Sequence, residues 1–539
     1  MTFAAPRPDA LETSGQRTFN AGLRDLFATL DDLLTCGGDG RLALDPVRRV
    51  NEYGCAPMPS PQALCFASST ASPISERAYD RAGLAREELM RSAIAIGLEE
   101  ALELRIEEMR GELKAHLELS GTDVIFAPSG TDSQLHARAL ARMLLGERLT
   151  TIIAGSDQTG SGTALTARGH HFSRMTASGV VMRKDTPIAG LAGDGVGVPL
   201  MDARRLVPRA DADLAVLAAI EAAVAGGSRV LLQIMDASKL GWRAPSEACL
   251  DEIARRWPDD VLVVVDACQM RLSRRRLGAY LDRGYLVLLT GSKFFGGPAF
   301  SGALLVPSLL SPWFNRGEEI APGLRDYASR SDWPRHWTAL RSQFASRANL
   351  GQWLRWEAAL EEIRAYYQVP DAFRAMALRE LGVGIENLLI LSPSLRLIGA
   401  APQAVSANDE EFSETTIFPF VVSRNGTALS VHDSRRLYRA LAQDLSQAVG
   451  GSEADREIAA CRCLVGQPVR IELPDGEATA ALRLCLGAGL VTEAWSQDPV
   501  TSAQNLYREL DRVAEIIAKI ELLLAHGGGM ELPEPSHGI

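Results

Sequence analysis

The stretch Thr290-Gly291-Ser292-Lys293-Phe294-Phe295-Gly296-Gly297-Pro298 is the most informative part of this chain. It follows the apolar run Tyr285-Leu286-Val287-Leu288-Leu289, which is typical of a buried strand. A lysine at the mouth of such a strand costs free energy unless its charge is neutralised or its amine is used. One use is a Schiff base with an aldehyde. The plainer alternative is a surface lysine whose stem lies along the protein.

Asp266 follows another apolar run and indicates the same kind of site. It comes directly after Val261-Leu262-Val263-Val264-Val265. A carboxylate there needs a partner, and a protonated pyridine nitrogen would serve, whereas a helix N-cap is the plainer alternative. Because ligands bind beyond the carboxyl ends of the strands in open α/β sheets, we expect Asp266 and Lys293 to lie at one edge.

A third segment offers a place for a phosphate group. Ser129-Gly130-Thr131 follows the strand candidate Val124-Ile125-Phe126 and opens a helix. Unpaired N–H groups and the helix dipole favour an anion there, and Gly130 lets the backbone approach closely. An ordinary capped helix would explain the same residues. The three segments together predict a site for an electron-sink cofactor.

The order of strand and helix candidates predicts a doubly wound α/β domain followed by a smaller α+β domain. Candidate strands are 123–127, 150–154, 229–235, 260–265, 284–289 and 302–306, and candidate helices are 84–119, 131–145, 210–225, 246–257 and 270–283. A helical stretch at 340–382 leads to strands near 396–400, 415–423, 469–473 and 481–486 and to a closing helix at 502–525.

These elements divide the chain into three parts. We expect an N-terminal extension or arm at 1–90, a large α/β domain at 91–340, and a bridging helix with a small α+β domain at 341–539. The glycine-rich stretch at 193–197 has no clean strand before it, so we interpret it as a loop rather than a nucleotide-binding turn.

Composition narrows the class of protein. The net charge of −11 argues against nucleic acid or an anionic membrane as a partner. No apolar run approaches the roughly 18 residues of a membrane span, and residues 1–20 lack a signal-peptide core, so we expect a cytoplasmic protein. The eight scattered cysteines favour reduced thiols, and the eight histidines form no metal-binding signature.

The chain resembles the fold type I pyridoxal-phosphate (PLP) enzymes, most closely the class V aminotransferase and cysteine desulfurase branch. That branch shows Asp-x-x-Gln, a Ser-x-His-Lys-like stretch and a Gly-Pro turn, and this chain has Asp266 and Gln269, then Lys293 in its stretch, then Gly297-Pro298. The resemblance implies the PLP-transferase type I fold, with a large doubly wound, mainly parallel sheet domain and a smaller C-terminal domain. It also implies PLP as cofactor and a homodimer with shared active sites.

The resemblance assigns roles to the residues of these motifs. Lys293 forms the internal aldimine and later moves the proton, Asp266 pairs with the pyridine nitrogen, and Gln269 hydrogen-bonds the phenolic oxygen of the cofactor. The residues that hold the phosphate would be Ser129, Gly130, Thr131, Thr290 and Ser292.

Three further residues are assigned by the same resemblance. In the loop at 235–241 the family's asparagine is absent, and Ser238 or Asp236 would substitute for it. Arg347 would reach the phosphate of the neighbouring subunit, with an exposed arginine at a helix start as the plainer alternative. Arg483 interrupts an apolar strand and would bind the substrate α-carboxylate, with a structural ion pair as the alternative.

Two features depart from the family pattern. The place of the histidine that often covers the cofactor ring contains Gln158 and Thr159, although His170 or His171 could fold in. The region of the desulfurase nucleophile contains Cys461 and Cys463 without an adjacent histidine.

The motifs and the resemblance together predict a PLP enzyme that acts on an α-amino acid, with transamination as the favoured reaction. Two alternatives stay open. One is desulfuration, elimination or kynureninase-like cleavage at the same site. The other is a non-catalytic PLP-binding protein with a regulatory role.

Overall fold

A computed structural model of the protein describes residues 22–51, 53–67, 72–202, 205–398, 409, 411–473 and 476–526. Expectations for residues 1–21, and for the last two residues of the strand predicted at 396–400, lie outside this part. The strands are β1 Leu64–Phe66, β2 Thr122–Ala127, β3 Leu149–Ala154, β4 Asp194–Val198, β5 Met201–Asp202, β6 Arg205–Leu206, β7 Arg229–Met235, β8 Val261–Asp266, β9 Leu286–Thr290, β10 Gly302–Pro307, β11 Leu395–Leu397, β12 Ile417–Arg424, β13 Thr427–Ala428, β14 Cys463–Glu472 and β15 Ala478–Cys485.

The helices surround two sheets built from these strands. They are α1 Leu30–Leu34, α2 Glu76–Ile96, α3 Leu98–His116, α4 Gly130–Leu145, α5 Thr163–Ala167, α6 Arg209–Ala225, α7 Glu247–Arg256, α8 Arg274–Asp282, α9 Ser311–Phe314, α10 Thr338–Arg341, α11 Leu350–Gln368, α12 Asp371–Leu391, α13 Val431–Leu441, α14 Glu453–Ala460, α15 Ala488–Ala494 and α16 Pro499–His526. No helix in the described ranges is both long enough and apolar enough to cross a membrane.

The large sheet has seven strands in the order β2-β10-β9-β8-β7-β3-β4. The pairs from β9 to β4 are parallel, and β10 is antiparallel to both of its neighbours. Successive residues of one strand enter different apolar clusters: Val263 and Val265 pack on one face, and Val264 packs on the other. Both faces are therefore covered, which explains why these strands are continuous apolar runs.

The smaller sheet belongs mostly to the C-terminal part of the chain. Its strands run in the order β1-β14-β15-β12-β11, and β13 pairs with β12. The edge strand β1 comes from the N-terminal stretch and pairs in parallel with Cys463–Val465. The predicted α/β class is confirmed: a large, mainly parallel sheet domain is followed by a smaller mixed domain.

Two helices predicted as single elements are interrupted. The helix expected at 84–119 consists of α2 and α3, which are separated by Gly97 with a φ of +87°, a conformation that favours glycine. The helix expected at 340–382 consists of α11 and α12, separated at Pro370, because proline lacks the amide donor and disfavours helix in the residue before it.

The interpretation of residues 193–197 as a loop is wrong. This stretch forms β4, which pairs in parallel with β3. A Cβ at Gly193 would lie 2.3 Å from Arg138 Nη2, and one at Gly197 would lie 2.7 Å from Ser156 Oγ. The glycines are thus explained by close side-chain approach at the sheet edge rather than by a turn.

Candidate active site

The sheet brings polar residues from five strands to one edge. The strands β2, β3, β7, β8 and β9 have a common direction, and their carboxyl ends lead into Ser129, Gln158, Lys239, Asp266 and Lys293 respectively. This is the edge at which ligands bind in open α/β sheets. Asp266 and Lys293, which we expected at one edge, both stand at the carboxyl ends of parallel strands, and their assigned roles stay predictions.

The first turn of α4 is closely packed against the ends of two other strands. A Cβ at Gly130 would lie 2.8 Å from Cys268 Sγ and 3.3 Å from Thr290 Cγ2. Only glycine leaves space between the helix start and these side chains. The Thr290 hydroxyl donates a hydrogen bond to the Cys268 carbonyl oxygen at 2.8 Å. The amides at the start of a helix favour an anion, so this turn suits a phosphate group.

The charge state of Asp132 matters for this turn. Ser129 Oγ donates to Asp132 Oδ2 at 2.5 Å. Burial raises the pKa of Asp132 to about 7, and the neighbouring Asp39 carboxylate adds to the increase, whereas Ser129 and the Arg41 cation oppose it. A neutral Asp132 is the form that tolerates a phosphate beside it, because two adjacent anions repel.

Asp266 is a buried carboxylate with few partners. It is 8% exposed, and its Oδ1 accepts a hydrogen bond from the Cys268 amide at 3.1 Å. Its Oδ2 has only a long contact, 3.4 Å, from Gln233 Nε2. Oδ2 can therefore accept a strong bond from a cationic donor such as a protonated ring nitrogen.

Lys293 lies three residues beyond the end of β9 and is half-buried. Among the described residues its amine makes no hydrogen bond or ion pair. A cavity of about 740 Å³ opens against it and is bounded by the 293–296 loop, the start of α15, residues 59–67 and α16. The amine is thus accessible to a small molecule and is not used by the fold.

Two buried amide oxygens in the described part of the site lack partners. They belong to Gln269, which is 6% exposed, and Gln158, which is 2% exposed. Buried polar atoms in native proteins nearly always have a partner, so these oxygens suggest a missing polar ligand. Together with the glycine-lined helix start, the available Asp266 oxygen and the Lys293 amine, they fit the phosphate, ring and aldehyde of PLP.

Ser238 and Arg347 are placed less favourably. The Ser238 hydroxyl accepts the amides of Leu240 and Trp242 at 3.1 and 3.0 Å, so it stabilises its own loop. Arg347 donates to the carbonyl oxygens of Arg325 and Ala328. None of these hydrogen bonds involves Lys293, and the roles assigned to Ser238 and Arg347 stay predictions.

The residue that would cover the cofactor ring stays a prediction among the alternatives that the sequence offered. Gln158 lies after β3, and its backbone carbonyl oxygen accepts the Lys239 amide at 3.4 Å. The Nδ1 atom of His171 is 2.6 Å from the Tyr327 hydroxyl. His170 pairs with Asp185 at 2.9 Å.

Arg483 reaches the site from the smaller domain. It is 3% exposed, and its Nη1 donates to the Lys239 carbonyl oxygen at 3.0 Å. Its Nε and Nη2 donate to the Gln467 carbonyl oxygen at 3.2 and 3.1 Å. No carboxylate in the described ranges forms an ion pair with Arg483, so the alternative of a structural ion pair finds no support.

Among known proteins, the chain is similar to solved structures at low sequence identity. No family model matches the chain, and no curated protein matches it. A solved NifS-like protein aligns with a TM-score of 0.48 and 15% identity, over 82% of this chain and 97% of that one. Catharanthus roseus tryptophan decarboxylase in complex with L-tryptophan aligns with a TM-score of 0.47 and 13% identity, over 87% and 85%. Mouse CSAD aligns with a TM-score of 0.46 and 14% identity, over 84% and 83%.

Lys239 and Arg271 are site residues that the sequence analysis missed. Lys239 stands in the loop that was quoted for its missing asparagine, and a second lysine after a strand was the available signal. Arg271 follows Gln269 closely but precedes the cationic run Arg274-Arg275-Arg276, which is typical of an exposed helix start. In the sequence, Arg271 therefore resembles one more exposed arginine of this run.

The cysteines at the desulfurase position lie at and just before the start of β14. Burial raises the pKa of Cys463 to about 12 and also raises the pKa of the Cys461 thiol. The Cys461 carbonyl oxygen accepts a hydrogen bond from Lys519 of α16. In the site itself, burial and Asp266 raise the pKa of Cys268 well above its usual value. None of these thiols is therefore primed as a thiolate nucleophile.

Proposed function

We propose that this protein is a PLP-dependent enzyme that acts on an α-amino acid and that its reaction is transamination. The observation that carries the proposal is the Lys293 amine, which has no partner among the described residues and lies at the sheet edge near Asp266 and the first turn of α4. A fold has no need for this combination, because each group costs free energy when it is buried and unused.

Different residues of the chain would bind different parts of the cofactor and move the proton. The first turn of α4, with Gly130 and Thr131, would hold the phosphate, and Asp266 would keep a positive charge on the ring nitrogen. When bound, PLP withdraws electrons from a bond at the substrate Cα. Lys293, once released from the cofactor, would take the Cα proton and return it to another carbon. Gln269 would hydrogen-bond the ring oxygen.

Arg483 supports transamination over reactions that lose the carboxyl group. A guanidinium that holds the α-carboxylate retains that group, which leaves the Cα–H bond as the one to be broken. Desulfuration has less support, because it needs a reactive thiolate, and the thiols of Cys461, Cys463 and Cys268 have a raised pKa.

The first experiment locates the cofactor. We expect the purified protein loaded with PLP to be yellow, and borohydride reduction should attach the cofactor to the peptide that contains Lys293. Lys293→Ala should bind PLP without covalent attachment, whereas the exposed control Lys184→Gln should behave as the wild type. Attachment at Lys239, or no bound cofactor, would refute the proposal.

The second experiment identifies the reaction. An amino-acid panel is followed by the absorbance of the cofactor together with keto acid, sulfide, ammonia and carbon dioxide. Keto acid with conversion of the cofactor to its amine form supports transamination. Sulfide, ammonia or carbon dioxide would assign a lyase instead, and bound PLP without turnover of any amino acid would favour a regulatory protein.

A further inference from the structure

Four cationic side chains meet at the boundary between the two domains. The Arg483 guanidinium donates to the Lys239 carbonyl oxygen at 3.0 Å, and burial, together with the Arg483 and Lys293 cations, lowers the pKa of Lys239 to about 8. The Arg271 guanidinium is 5.5 Å from the centre of the Phe294 ring, next to Lys293, and burial together with the Arg483 cation lowers the pKa of Arg271 to about 10. The four residues come from four elements, so their convergence is a property of the fold.

The cluster has no anion of its own. Among the ion pairs of the described residues, none involves Lys239, Lys293, Arg271 or Arg483. Arg271 is 4% exposed and donates one hydrogen bond, from Nη1 to the Leu486 carbonyl oxygen at 2.8 Å. Its Nε and Nη2 are buried and have no partner. A buried guanidinium with unpaired donors is costly, and the cost is removed when an anion enters.

The cofactor would not supply that anion. Its phosphate belongs at the first turn of α4, whose hydrogen bonds involve Ser129, Asp132 and Ser133 and not the cluster. Lys293 would be consumed by the aldehyde, and Arg483 suits one carboxylate. Arg271 and Lys239 then remain as two cations with nothing to bind.

We propose that the substrate is an amino acid with a second anionic group on its side chain, held by Arg271 and Lys239 while Arg483 holds the α-carboxylate. This inference rests on the proposed function and adds the substrate class to it. A neutral or cationic side chain would leave both cations unpaired, so the site selects against such substrates by charge. The shared chemistry is a side-chain carboxylate, sulfonate or phosphonate.

Direct binding tests the inference without turnover. The PLP-loaded wild type is titrated calorimetrically with succinate and glutarate, and with butyrate, which has one carboxylate. We expect the better dicarboxylate to bind at least about tenfold more tightly than butyrate, the size of one charge-assisted contact. Sulfopropanoate and phosphonopropanoate then show which anion fits best. Equal affinity for succinate, glutarate and butyrate would overturn the inference.

Variants assign the contact to individual residues. Arg271→Met and Lys239→Gln should each lower dicarboxylate affinity toward that of butyrate and leave butyrate binding almost unchanged. Lys184→Gln, which removes an exposed lysine, should not alter either affinity. If Arg271→Met and Lys239→Gln lower the affinity for butyrate and for the dicarboxylates equally, the two cations do not bind the anionic group of the substrate side chain.

Stability separates this role from a structural one. Without ligand, Arg271→Met should unfold at a temperature close to that of the wild type, because the loss of its hydrogen bond to the Leu486 carbonyl oxygen is offset by the removal of a buried cation that lacks an anion. A clear decrease in the unfolding temperature would mark Arg271 as structural and overturn its role in substrate binding. The affinities of Lys239→Gln would then decide whether the site binds a second anionic group. A protein that carries PLP on Lys293 and converts neutral amino acids as well as acidic ones refutes only this inference, whereas a protein without PLP on Lys293 refutes the proposed function.

Discussion

Cys268 connects the separate parts of the site through its backbone and through the volume of its side chain. Its amide donates to Asp266, its carbonyl oxygen accepts from Thr290, and its Sγ fills the space beside Gly130. One residue thus fixes the positions of the ring acid, the strand end before Lys293 and the first turn of α4. A substitution that changes its volume would move all three groups at once.

Asp266 offers a sharp test at the level of one residue. Asp266→Asn keeps the shape and an oxygen for the Cys268 amide but loses the charge that would hold a protonated ring nitrogen. We expect PLP to remain bound through its phosphate, while kcat falls by about tenfold to a hundredfold or more, since a charge-assisted contact contributes ~1.5–3 kcal/mol. Steady-state kinetics and the cofactor absorbance measure the two effects.

A control variant of the same type shows whether the loss of a carboxylate elsewhere also lowers kcat. Asp259→Asn removes an exposed carboxylate after α7 and should leave kcat unchanged. If Asp266→Asn turns over near the wild-type rate, Asp266 does not tune the cofactor.

At the level of elements, the N-terminal stretch forms part of the site's wall. Arg355 of α11 is fully buried and donates to the carbonyl oxygens of Leu34, Cys36 and Gly37 at 2.9, 2.6 and 3.1 Å. These bonds hold residues 34–37 against the large domain. Asp39, which follows, then lies close enough to Asp132 to affect its charge.

The pH dependence of stability follows from Asp132. Its pKa is about 7 in the folded protein and 3.8 ordinarily, so its contribution to stability is complete below about pH 4 and is lost as the pH rises to about 7. Asp132→Asn stays neutral. We expect its melting temperature, relative to the wild type, to increase as the pH rises through this window, as measured by thermal unfolding at fixed ionic strength.

A second carboxyl should act in the same direction. Burial raises the pKa of Asp332 to about 6, so Asp332→Asn should show the same trend at slightly lower pH. A difference between Asp132→Asn and the wild type that does not vary with pH would mean that Asp132 is ionised throughout.

The sequence predicted the strands of the large sheet better than the helices around it. Strands buried on both faces are continuous apolar runs, which composition reveals directly. The breaks at Gly97 and Pro370 lie inside otherwise helical patterns, and the periodicity on both sides hides them. The strand β4 was missed because glycines there permit close packing, whereas glycine alone normally argues against a strand.

The candidate site was predicted in part for a similar reason. Asp266 and Lys293 are polar residues directly after apolar strands, and that position alone indicates the sheet edge. Arg271 and Lys239 depend on where loops turn and on how the smaller domain packs, which no local pattern specifies. Their burial without an anion becomes visible only when Arg483 is brought beside them.

At the level of the whole molecule, the two domains meet at the site. The Ala488 amide donates to the Phe294 carbonyl oxygen at 2.7 Å, and Arg271 donates to the Leu486 carbonyl oxygen at 2.8 Å. These bonds cross from the 293–296 and 268–271 loops to the end of β15 and the start of α15. The position of the smaller domain therefore determines the distance between Arg483 and Lys293, and with it the fit of a substrate.

The assembly prediction concerns Arg347. If the protein is a homodimer in which Arg347 reaches the partner's phosphate site, light scattering should give twice the chain mass, and Arg347→Ala should weaken PLP binding by at least about tenfold.

Mixing two inactive variants tests whether the sites are shared. Lys293→Ala and Arg347→Ala should each have little activity alone. After the two are unfolded and refolded together, each mixed dimer contains one site with both Lys293 and Arg347 intact. Activity should then recover to roughly a quarter of the wild-type value, because half of the dimers are mixed and each has one intact site of two. No recovery in a dimeric mixture would place Arg347 in its own subunit's structure, where it already binds the carbonyl oxygens of Arg325 and Ala328, and a monomeric mass would exclude shared sites altogether.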